Sequence, residues 1–335
     1  MRLLVCRIRM CLLAAALSVV PPFVDRAPGE VLQVPLATEG AGVVPAEVIV
    51  RGPWGSDAGQ FGKVDEASRP GPMDFAVTGD TLYVLDPVNA RVQLFDLDGN
   101  FRREVLIGTR TADFMCVDDE GNITVLDAFV GREFKTFSVS GKILAHARLP
   151  ASIGLASAIF TGAGRVWIEE RHNRVYEVGV ARDKPGAPAK VVGTRMGRPL
   201  GRSDGAVRAE KDGTHNVVIH ADAAGMAGGA VTLQFPRRVS SIVALESDDS
   251  GRVYLAASCP RASGGDQWKS DIVLVVIAPD GGIAGSLCMP DAYVTDHYRK
   301  LFVTRSGGVI QMQTTEDGLR FVRWVLEAQP DGRRS

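Results

Sequence analysis

The chain has 335 residues, of which 45% are hydrophobic and 23% charged, a composition typical of a folded globular protein and not of a disordered chain. The formal net charge of -1 provides no general attraction to nucleic acid or to anionic membranes, so we expect no nucleic-acid partner. The 37 glycines are in keeping with a fold that needs many tight turns between short strands.

The N-terminus predicts an export signal. Three arginines precede an apolar run over residues 11–20, which Pro21 and Pro22 end. A basic segment followed by about 7–15 apolar residues is typical of a signal peptide, and the run is shorter than the ~20 residues that span a bilayer. We assign residues 1–27 to a signal peptide and 28–45 to a linker, and expect an extracytoplasmic protein, periplasmic or secreted. The alternative is a short hydrophobic tail on a cytoplasmic protein. No later segment is long enough to form a transmembrane helix.

Two series of turns repeat along the rest of the chain. Turns that end in glycine follow apolar runs, as in residues 95–99 and 137–141. A second series precedes strand-like runs, at Gly79, Gly121, Gly164, Gly205, Gly251 and Gly308. The runs between the turns, such as residues 81–85, are short, β-branched and aromatic, and they lack the period of an amphipathic helix. Repeats of about 40–50 residues with four short strands each are typical of β-propeller blades.

The two ends of the chain predict how the ring closes. The sixth repeat stops at Gly332 after its third strand, whereas residues 47–51 form an extra strand ahead of the first repeat. Pairing these residues with the strand Leu319–Leu326 would complete the last blade and remove unpaired strand edges. We therefore predict an all-β fold over residues 46–332, a six-bladed β-propeller with four-stranded antiparallel blades, whose last blade is closed by an N-terminal strand. We expect a monomer.

The first repeat resembles an NHL repeat. The stretch Trp54–Phe61 and the residues 82–96 follow the order of that motif, although Ala90 stands where the family usually has histidine. The likeness is strong over residues 47–149 and poorest in repeat four, whose inner strand would fall in residues 196–201. The resemblance implies a funnel-shaped ring with a central channel. It does not imply one activity, because such rings host enzymes, scaffolds and receptors.

Two irregular segments, residues 257–270 and 290–300, interrupt the repeat in blade five and at its junction with blade six. Their candidate binding residues are Trp268, Lys269, Tyr293, His297, Tyr298 and Arg299. Aromatic side chains beside charged ones on long loops suit recognition of a protein or a glycan. We therefore predict an exported, non-catalytic binding or scaffold module that needs no cofactor. The alternative for Trp268 is that it folds back to cover the blade.

A metal-dependent hydrolase or lyase with its site in the channel is the alternative function. His172, His215 and His297 fall on loops that should share one face, and three histidines can hold zinc. Some lyases that resemble this fold use such a site. The histidines show no local ligand motif, however, so surface positions in loops are the interpretation we favour.

Acidic residues indicate calcium as a second candidate metal for the alternative function, a metal-dependent hydrolase or lyase. Asp86, Asp127 and Glu170 end successive second strands, and carboxylates are the ligands that calcium prefers. Because the position repeats from blade to blade, we favour a structural role in which these acids cap the following turn. For Cys259 and Cys288, two strand spacings imply a separation of ~9–10 Å, beyond the ~7 Å limit for a disulfide unless the intervening loop curls outward.

Overall fold

Six β-sheets hold the regular secondary structure of this computed structural model. It describes residues 31–35, 47–65, 70–162, 165–171, 173–179, 186–200, 205–222, 229–261, 270–324 and 326. Within these ranges no helix is present, and so none that is long and apolar enough to cross a membrane. The predicted signal peptide, residues 1–27, lies outside them.

The strands follow one another blade by blade. Before the first blade come β1 (Val31–Gln33) and β2 (Glu47–Gly52). Blade one contains β3 (Asp74–Thr78), β4 (Thr81–Asp86), β5 (Arg91–Asp96) and β6 (Phe101–Leu106). Blade two contains β7 (Phe114–Val117), β8 (Ile123–Asp127), β9 (Glu133–Phe137) and β10 (Ile143–Arg148). Blade three contains β11 (Ala156–Gly162), β12 (Arg165–Glu170), β13 (Arg174–Gly179) and, after the short β14 (Ala187–Pro188) that pairs with β10, β15 (Lys190–Met196).

The second half of the ring repeats this order. Blade four contains β16 (Arg198–Pro199), β17 (Ala206–Asp212), β18 (Asn216–Asp222) and β19 (Gly229–Gln234). Blade five contains β20 (Ser241–Ser247), β21 (Val253–Pro260), β22 (Ser270–Ile277) and β23 (Ile283–Pro290). Blade six contains β24 (Leu301–Val303), β25 (Val309–Thr315), β26 (Gly318–Trp324) and β2. The prediction of an all-β, six-bladed propeller with four-stranded antiparallel blades is confirmed.

Antiparallel order within each blade gives the ring two faces. Loops between second and third strands, and between one blade and the next, form the loop face, which includes residues 87–90, 128–132 and 291–300. Turns between first and second strands, and between third and fourth strands, form the turn face, which includes residues 97–100 and 304–308. Repeating turns such as those at Gly79 and Gly308 therefore lie on the turn face, and the irregular segment 290–300 lies on the loop face. Residues 262–269 of the other irregular segment lie outside the described ranges.

The hydrophobic core lies between neighbouring blades. Among the described residues, five buried clusters join blades one and two, two and three, four and five, five and six, and six and one. None of the five joins blade three to blade four. That interface instead carries a polar contact, described below.

Blade six is closed by the strand that the sequence predicted. β2 runs antiparallel to β26, with Gly52 opposite Leu319 and Val50 opposite Phe321. Ile49 and Val50 are both buried, so the closing strand contributes to the core as well as to the hydrogen-bonded ladder. This pairing satisfies the outer edge of β26, which would otherwise expose unpaired backbone groups.

Blade four departs most from the regular pattern. Its inner strand has only two residues, within the region that the sequence identified as a poor strand. On its outer side β1 pairs in parallel with β19, with Val31 opposite Thr232. Val34 is buried, and the carbonyl oxygen of Pro35 accepts a 2.7 Å hydrogen bond from Ser286 of blade five. The assignment of residues 28–45 to a linker did not anticipate this fifth strand.

These contacts predict graded effects of N-terminal truncation. Deleting residues 1–30 should leave the melting temperature unchanged, because no described strand is lost. Deleting residues 1–45 removes β1 and the buried Val34, and should cost ~2 kcal/mol and about 5 °C. Deleting residues 1–52 also removes β2 and should cause aggregation through the open edge of blade six. Calorimetry and size-exclusion chromatography provide the measurement. Equal melting of the second and third truncations would contradict closure by β2.

Candidate functional site

Residues 291–300, the crossing segment, connect blade five to blade six and extend to blade one. The backbone N–H groups of Tyr298 and Arg299 donate to the carbonyl oxygen of Met73, at 2.8 and 3.2 Å. Near its beginning, the Val294 N–H donates to the Thr314 hydroxyl at 2.9 Å. The crossing segment is therefore fixed to blade one and to blade six, and it lies next to their inner strands.

An aromatic cluster on the loop face is formed by Phe114, Phe129 and Tyr298. The ring centroid of Tyr298 lies 4.7 Å from that of Phe114 and 6.0 Å from that of Phe129. Phe114 is buried beneath them, whereas Tyr298 is 48% exposed and Phe129 is 46% exposed. The cluster therefore anchors one buried ring and presents two rings to solvent.

The loop-face groove lies between blades five and six and has a volume of about 620 Å³. Its lining includes Arg261, Asp291, Tyr293 and Glu316. The Lys300 ammonium lies 2.8 Å from both carboxylate oxygens of Asp291 and 4.4 Å from the centre of the Tyr293 ring. Tyr293 is 54% exposed, so this ion pair holds one face of a ring whose remainder is open to the groove.

Arg299 turns away from this surface and into the ring. Its Nε lies 2.6 Å from Asp74 Oδ1, and its Nη1 lies 3.1 Å from Glu246 Oε1. Asp74, whose side chain is 1% exposed, also accepts a 2.7 Å hydrogen bond from the backbone N–H of Met115. The Arg299 guanidinium is thus occupied by acids of blades one and five, and partner contact by this residue stays a prediction.

Arg198 extends the same arrangement to the other side of the ring. Its guanidinium lies 3.2 Å from Glu246 Oε1 and forms a two-pronged contact with Glu169, at 2.8 and 2.9 Å. It also lies 5.2 Å from the centre of the Phe160 ring. We call Asp74, Arg299, Glu246, Arg198 and Glu169 the ionic chain. Together with the Met115 N–H it connects groups from blades one to five with the crossing segment that leads into blade six.

Burial and charge act in opposite directions on the pKa values of this chain. Burial raises the pKa of the Asp74 carboxyl, and the Arg299 guanidinium opposes that effect. Burial disfavours the charge of Arg198, but Glu169 and Glu246 outweigh it and raise the pKa of Arg198. Asp74 likewise raises the pKa of Arg299. Both guanidiniums therefore stay charged, and the acids of the channel are held by them.

Sequence reasoning missed four of the five residues of the ionic chain: Asp74, Glu169, Arg198 and Glu246. The available signal was a charged residue in or beside the inner strand of several blades, where apolar residues are expected. Which charges meet could not be read from the sequence, because Asp74 and Arg299 are 225 positions apart.

The predicted site residues have different surroundings. Trp268, Lys269 and His172 lie outside the described residues. His215 and His297 each donate an Nδ1–H to a backbone carbonyl oxygen, of Phe235 and Thr295 respectively, both at 3.1 Å. Within the described ranges, no three or more His, Cys, Asp or Glu side chains are grouped so that they could hold a metal ion. The three-histidine site stays a prediction.

The acids at the ends of the second strands make local hydrogen bonds. Asp127 Oδ1 accepts from the backbone N–H groups of Val130 and Gly131, at 3.0 and 2.7 Å, and so caps the following turn. Asp86 is fully buried, and its Oδ2 lies 2.8 Å from the Asn89 amide nitrogen and 3.3 Å from Arg91 Nε. These contacts agree with the structural role that the repetition favoured. Glu170 differs, since it accepts from the Gly154 N–H and the Tyr176 hydroxyl.

The three described cysteines are free thiols: Cys116, Cys259 and Cys288. Burial raises the pKa of Cys116 to about 12 and that of Cys259 to about 11, and it also raises the pKa of Cys288. Because the thiolate is the nucleophilic form, none of the three has the environment of a reactive cysteine.

Among the comparisons with known proteins, one solved structure supports the fold. No family model matches the chain, and no curated protein matches it. A solved structure of a DUF4221 family member from Bacteroides vulgatus has 10% identity and a TM-score of 0.50, over 85% of this chain and 99% of that chain. A streptogramin B lyase structure has 12% identity and a TM-score of 0.42, over 80% and 97% of the two chains. Hydrazine synthase of Kuenenia stuttgartiensis has 11% identity and a TM-score of 0.46, over 74% of each chain. The chain is a six-bladed β-propeller, and its likeness to NHL repeats stays a prediction.

The ionic chain predicts a large effect of substituting Arg198. Arg198→Met leaves the 1% exposed Glu169 side chain without its guanidinium, and loss of one buried partner typically costs 3–5 kcal/mol. Urea unfolding should show this loss. Arg165→Met is the matched control, in the blade that contains Glu169, because Arg165 is 60% exposed and its ion pair with Glu177 should contribute only ~0–1 kcal/mol. If Arg198→Met does not fold, the double variant Arg198→Met/Glu169→Gln should recover part of the stability. Equal effects of Arg198→Met and Arg165→Met would be inconsistent with the ionic chain.

His297 predicts a pH dependence of stability. Burial lowers the pKa of this histidine to about 4 in the folded protein, against its ordinary value of 6.5. Stability from the neutral ring is therefore complete above pH 6.5 and is lost as pH falls toward 4. Because the ring is only half-buried, we expect a loss of ~1–2 kcal/mol over this window. His297→Asn, which keeps a donor for Thr295, should lose less stability between pH 7 and pH 4.5 in urea unfolding. Identical losses would contradict the assignment.

Proposed function

We propose that this chain is an exported, NHL-like β-propeller that acts as a non-catalytic binding or scaffold module. Its protein or glycan partner would contact the loop face around blades five and six. The observation that carries the proposal is the crossing segment, which presents Tyr293 and Tyr298 to solvent on a backbone fixed to two blades.

Rigid anchoring favours binding because it lowers the ordering cost of association. An interface residue that is already held in place loses less conformational entropy when a partner arrives. Tyr298 is held by Phe114, and Tyr293 is held by Lys300, so both rings are ordered before any partner binds. Tyrosine also provides a large contact area with few rotatable bonds, and for this reason it is frequent at the centres of binding sites.

The loop-face groove supplies polar groups beside these rings. Asp291 and Glu316 provide acceptors and Arg261 provides donors along its lining. Aromatic rings next to carboxylates suit a sugar, which stacks its C–H face and donates its hydroxyls. The same groups suit an extended peptide with basic side chains.

The channel offers less support for the alternative of a metal-dependent hydrolase or lyase. Asp74, Glu169 and Glu246 lie in or beside inner strands, and arginines hold all three. A zinc or calcium site there would have to displace these arginines. Elemental analysis of protein purified without chelators distinguishes the two functions, because the enzyme alternative requires a stoichiometric metal.

The binding proposal predicts that the double variant Tyr293→Ala/Tyr298→Ala loses its partner. Glycan-array binding and affinity capture from the extracytoplasmic fraction, each with wild type and variant in parallel, provide the measurement. Loss of a central aromatic residue typically costs ~2 kcal/mol, so binding should fall more than about tenfold. The melting temperature should change by no more than about 2 °C, because both rings are about half exposed.

The matched control for this test is Leu106→Ala/Val192→Ala. These two residues are exposed apolar residues on the outer strands of blades one and three, away from the crossing segment. The control should bind as wild type does. Equal binding by wild type and the tyrosine variant would refute the proposed surface, and a glycan signal without specific protein capture would identify the partner class as glycan.

A further inference from the structure

A second groove lies on the turn face, between blades six and one. This turn-face groove has a volume of about 470 Å³, within the range of ~300–1,000 Å³ typical of small-molecule sites. One wall is the turn at residues 304–308 of blade six, and the other is the turn of blade one at Thr78 and Gly79. It is on the side of the ring opposite the loop-face groove, and it is independent of the proposed function.

The floor of the turn-face groove is apolar. Val77 and Ile310 are buried members of the cluster between blades six and one, and Leu97 packs against that cluster. Blade one is open toward solvent at Gly79, where a Cβ atom would meet no atom within 4 Å. The groove can therefore accept an apolar group that lies on the core between the first and last blades.

The charge of the groove is positive. Arg305 and Arg323 line it, and no acidic residue and no lysine is among the described residues of its lining. Their carboxylate partners lie outside the groove: Asp119 with Arg305 and Glu47 with Arg323. Both carboxylate side chains are 67% exposed, and ion pairs of this kind contribute only ~0–1 kcal/mol. An anion in the groove can therefore replace them at little cost.

Hydroxyl groups surround the two arginines. Thr78, Thr304 and Ser306 line the same groove, and the hydroxyls of Thr304 and Ser306 lie 3.1 Å apart. Guanidinium and hydroxyl donors together are the usual partners of carboxylate and phosphate oxygens. The loop-face groove has the opposite character, since Arg261 is outnumbered there by Asp291 and Glu316.

We propose that the turn-face groove binds a small amphiphilic anion. The carboxylate, phosphate or sulfonate head lies by Arg305 and Arg323, and the apolar body lies on Val77, Leu97 and Ile310. Because these residues belong to blades one and six, the ligand bridges the first and last blades of the ring.

The test is a fluorescence titration of the purified full chain with 1-anilinonaphthalene-8-sulfonate, which combines an aromatic body with a sulfonate. The wild type should bind one equivalent, and its melting temperature should rise with probe concentration because the ligand binds the folded state. Arg305→Gln and Arg323→Gln should each weaken binding about tenfold. A melting temperature that falls with added probe indicates binding to unfolded chains and overturns the proposal.

Arg165→Gln is the control variant, because Arg165 is an exposed arginine with one carboxylate partner, on blade three. It should bind the probe as wild type does. Equal weakening in Arg165→Gln, or unchanged binding in both groove variants, overturns the proposal. Decanoate and decyl phosphate should displace the probe, and their relative strength identifies the preferred head group. Equal displacement by the uncharged octyl glucoside would show that the arginines do not select the ligand.

Discussion

Arg198 is largely buried between the third and fourth blades, and its charge is tolerated there because Glu169 and Glu246 surround it. Transferring an unpaired guanidinium out of water costs several kcal/mol. Blades three and four can therefore pack together here only when Arg198 is paired with acids. The requirement is greater because none of the five buried hydrophobic clusters among the described residues joins blade three to blade four. The Phe160 ring of blade three covers one face of the guanidinium and adds an apolar contact to this interface.

The same reasoning extends through Arg299 to the first blade. Glu246 is shared by both arginines, and Arg299 in turn neutralises Asp74. Each guanidinium therefore depends on an acid from a different blade, and neighbouring blades are coupled through charge at or beside their inner strands. The ring is closed in two physically distinct ways. Strand pairing and apolar burial close it between blades six and one, and buried ion pairs support it between blades three and four.

Features that depend on local sequence could be predicted, whereas contacts between residues far apart in the chain could not. Turn residues and short β-branched runs are local signals, so they located the six blades and the poor inner strand within residues 196–201. The closing strand was predictable because a missing strand at one end matched an extra strand at the other. The parallel pairing of β1 with β19 was not, since three residues carry too little pattern to specify a partner about 200 positions away. The ion pairs of the ionic chain could not be predicted either, because their partners are far apart in the sequence.

For the candidate site, the sequence predicted which segment is unusual but not how each of its side chains is oriented. The departure of residues 290–300 from the repeat identified the crossing segment, and Tyr293 and Tyr298 are exposed there. Arg299 belongs to the same run of residues but faces into the ring, where Asp74 and Glu246 hold its side chain, while the carbonyl of Met73 accepts from the backbone N–H groups of Tyr298 and Arg299. A sequence pattern can indicate which loop is unusual. It cannot indicate which of two adjacent side chains faces solvent, since that depends on a contact with another blade.

Blade four shows how these constraints combine. Its inner strand has two residues, and among the described residues no buried hydrophobic cluster joins it to blade three, where Arg198 makes an ionic contact instead. The N-terminal segment adds to this blade a fifth strand and the buried Val34, and Pro35 links it to blade five through Ser286. The chain then supplies β2 to blade six. Residues 31–35 therefore support the least regular blade and residues 47–52 close the ring, so these two short stretches, with little sequence pattern of their own, contact three consecutive blades.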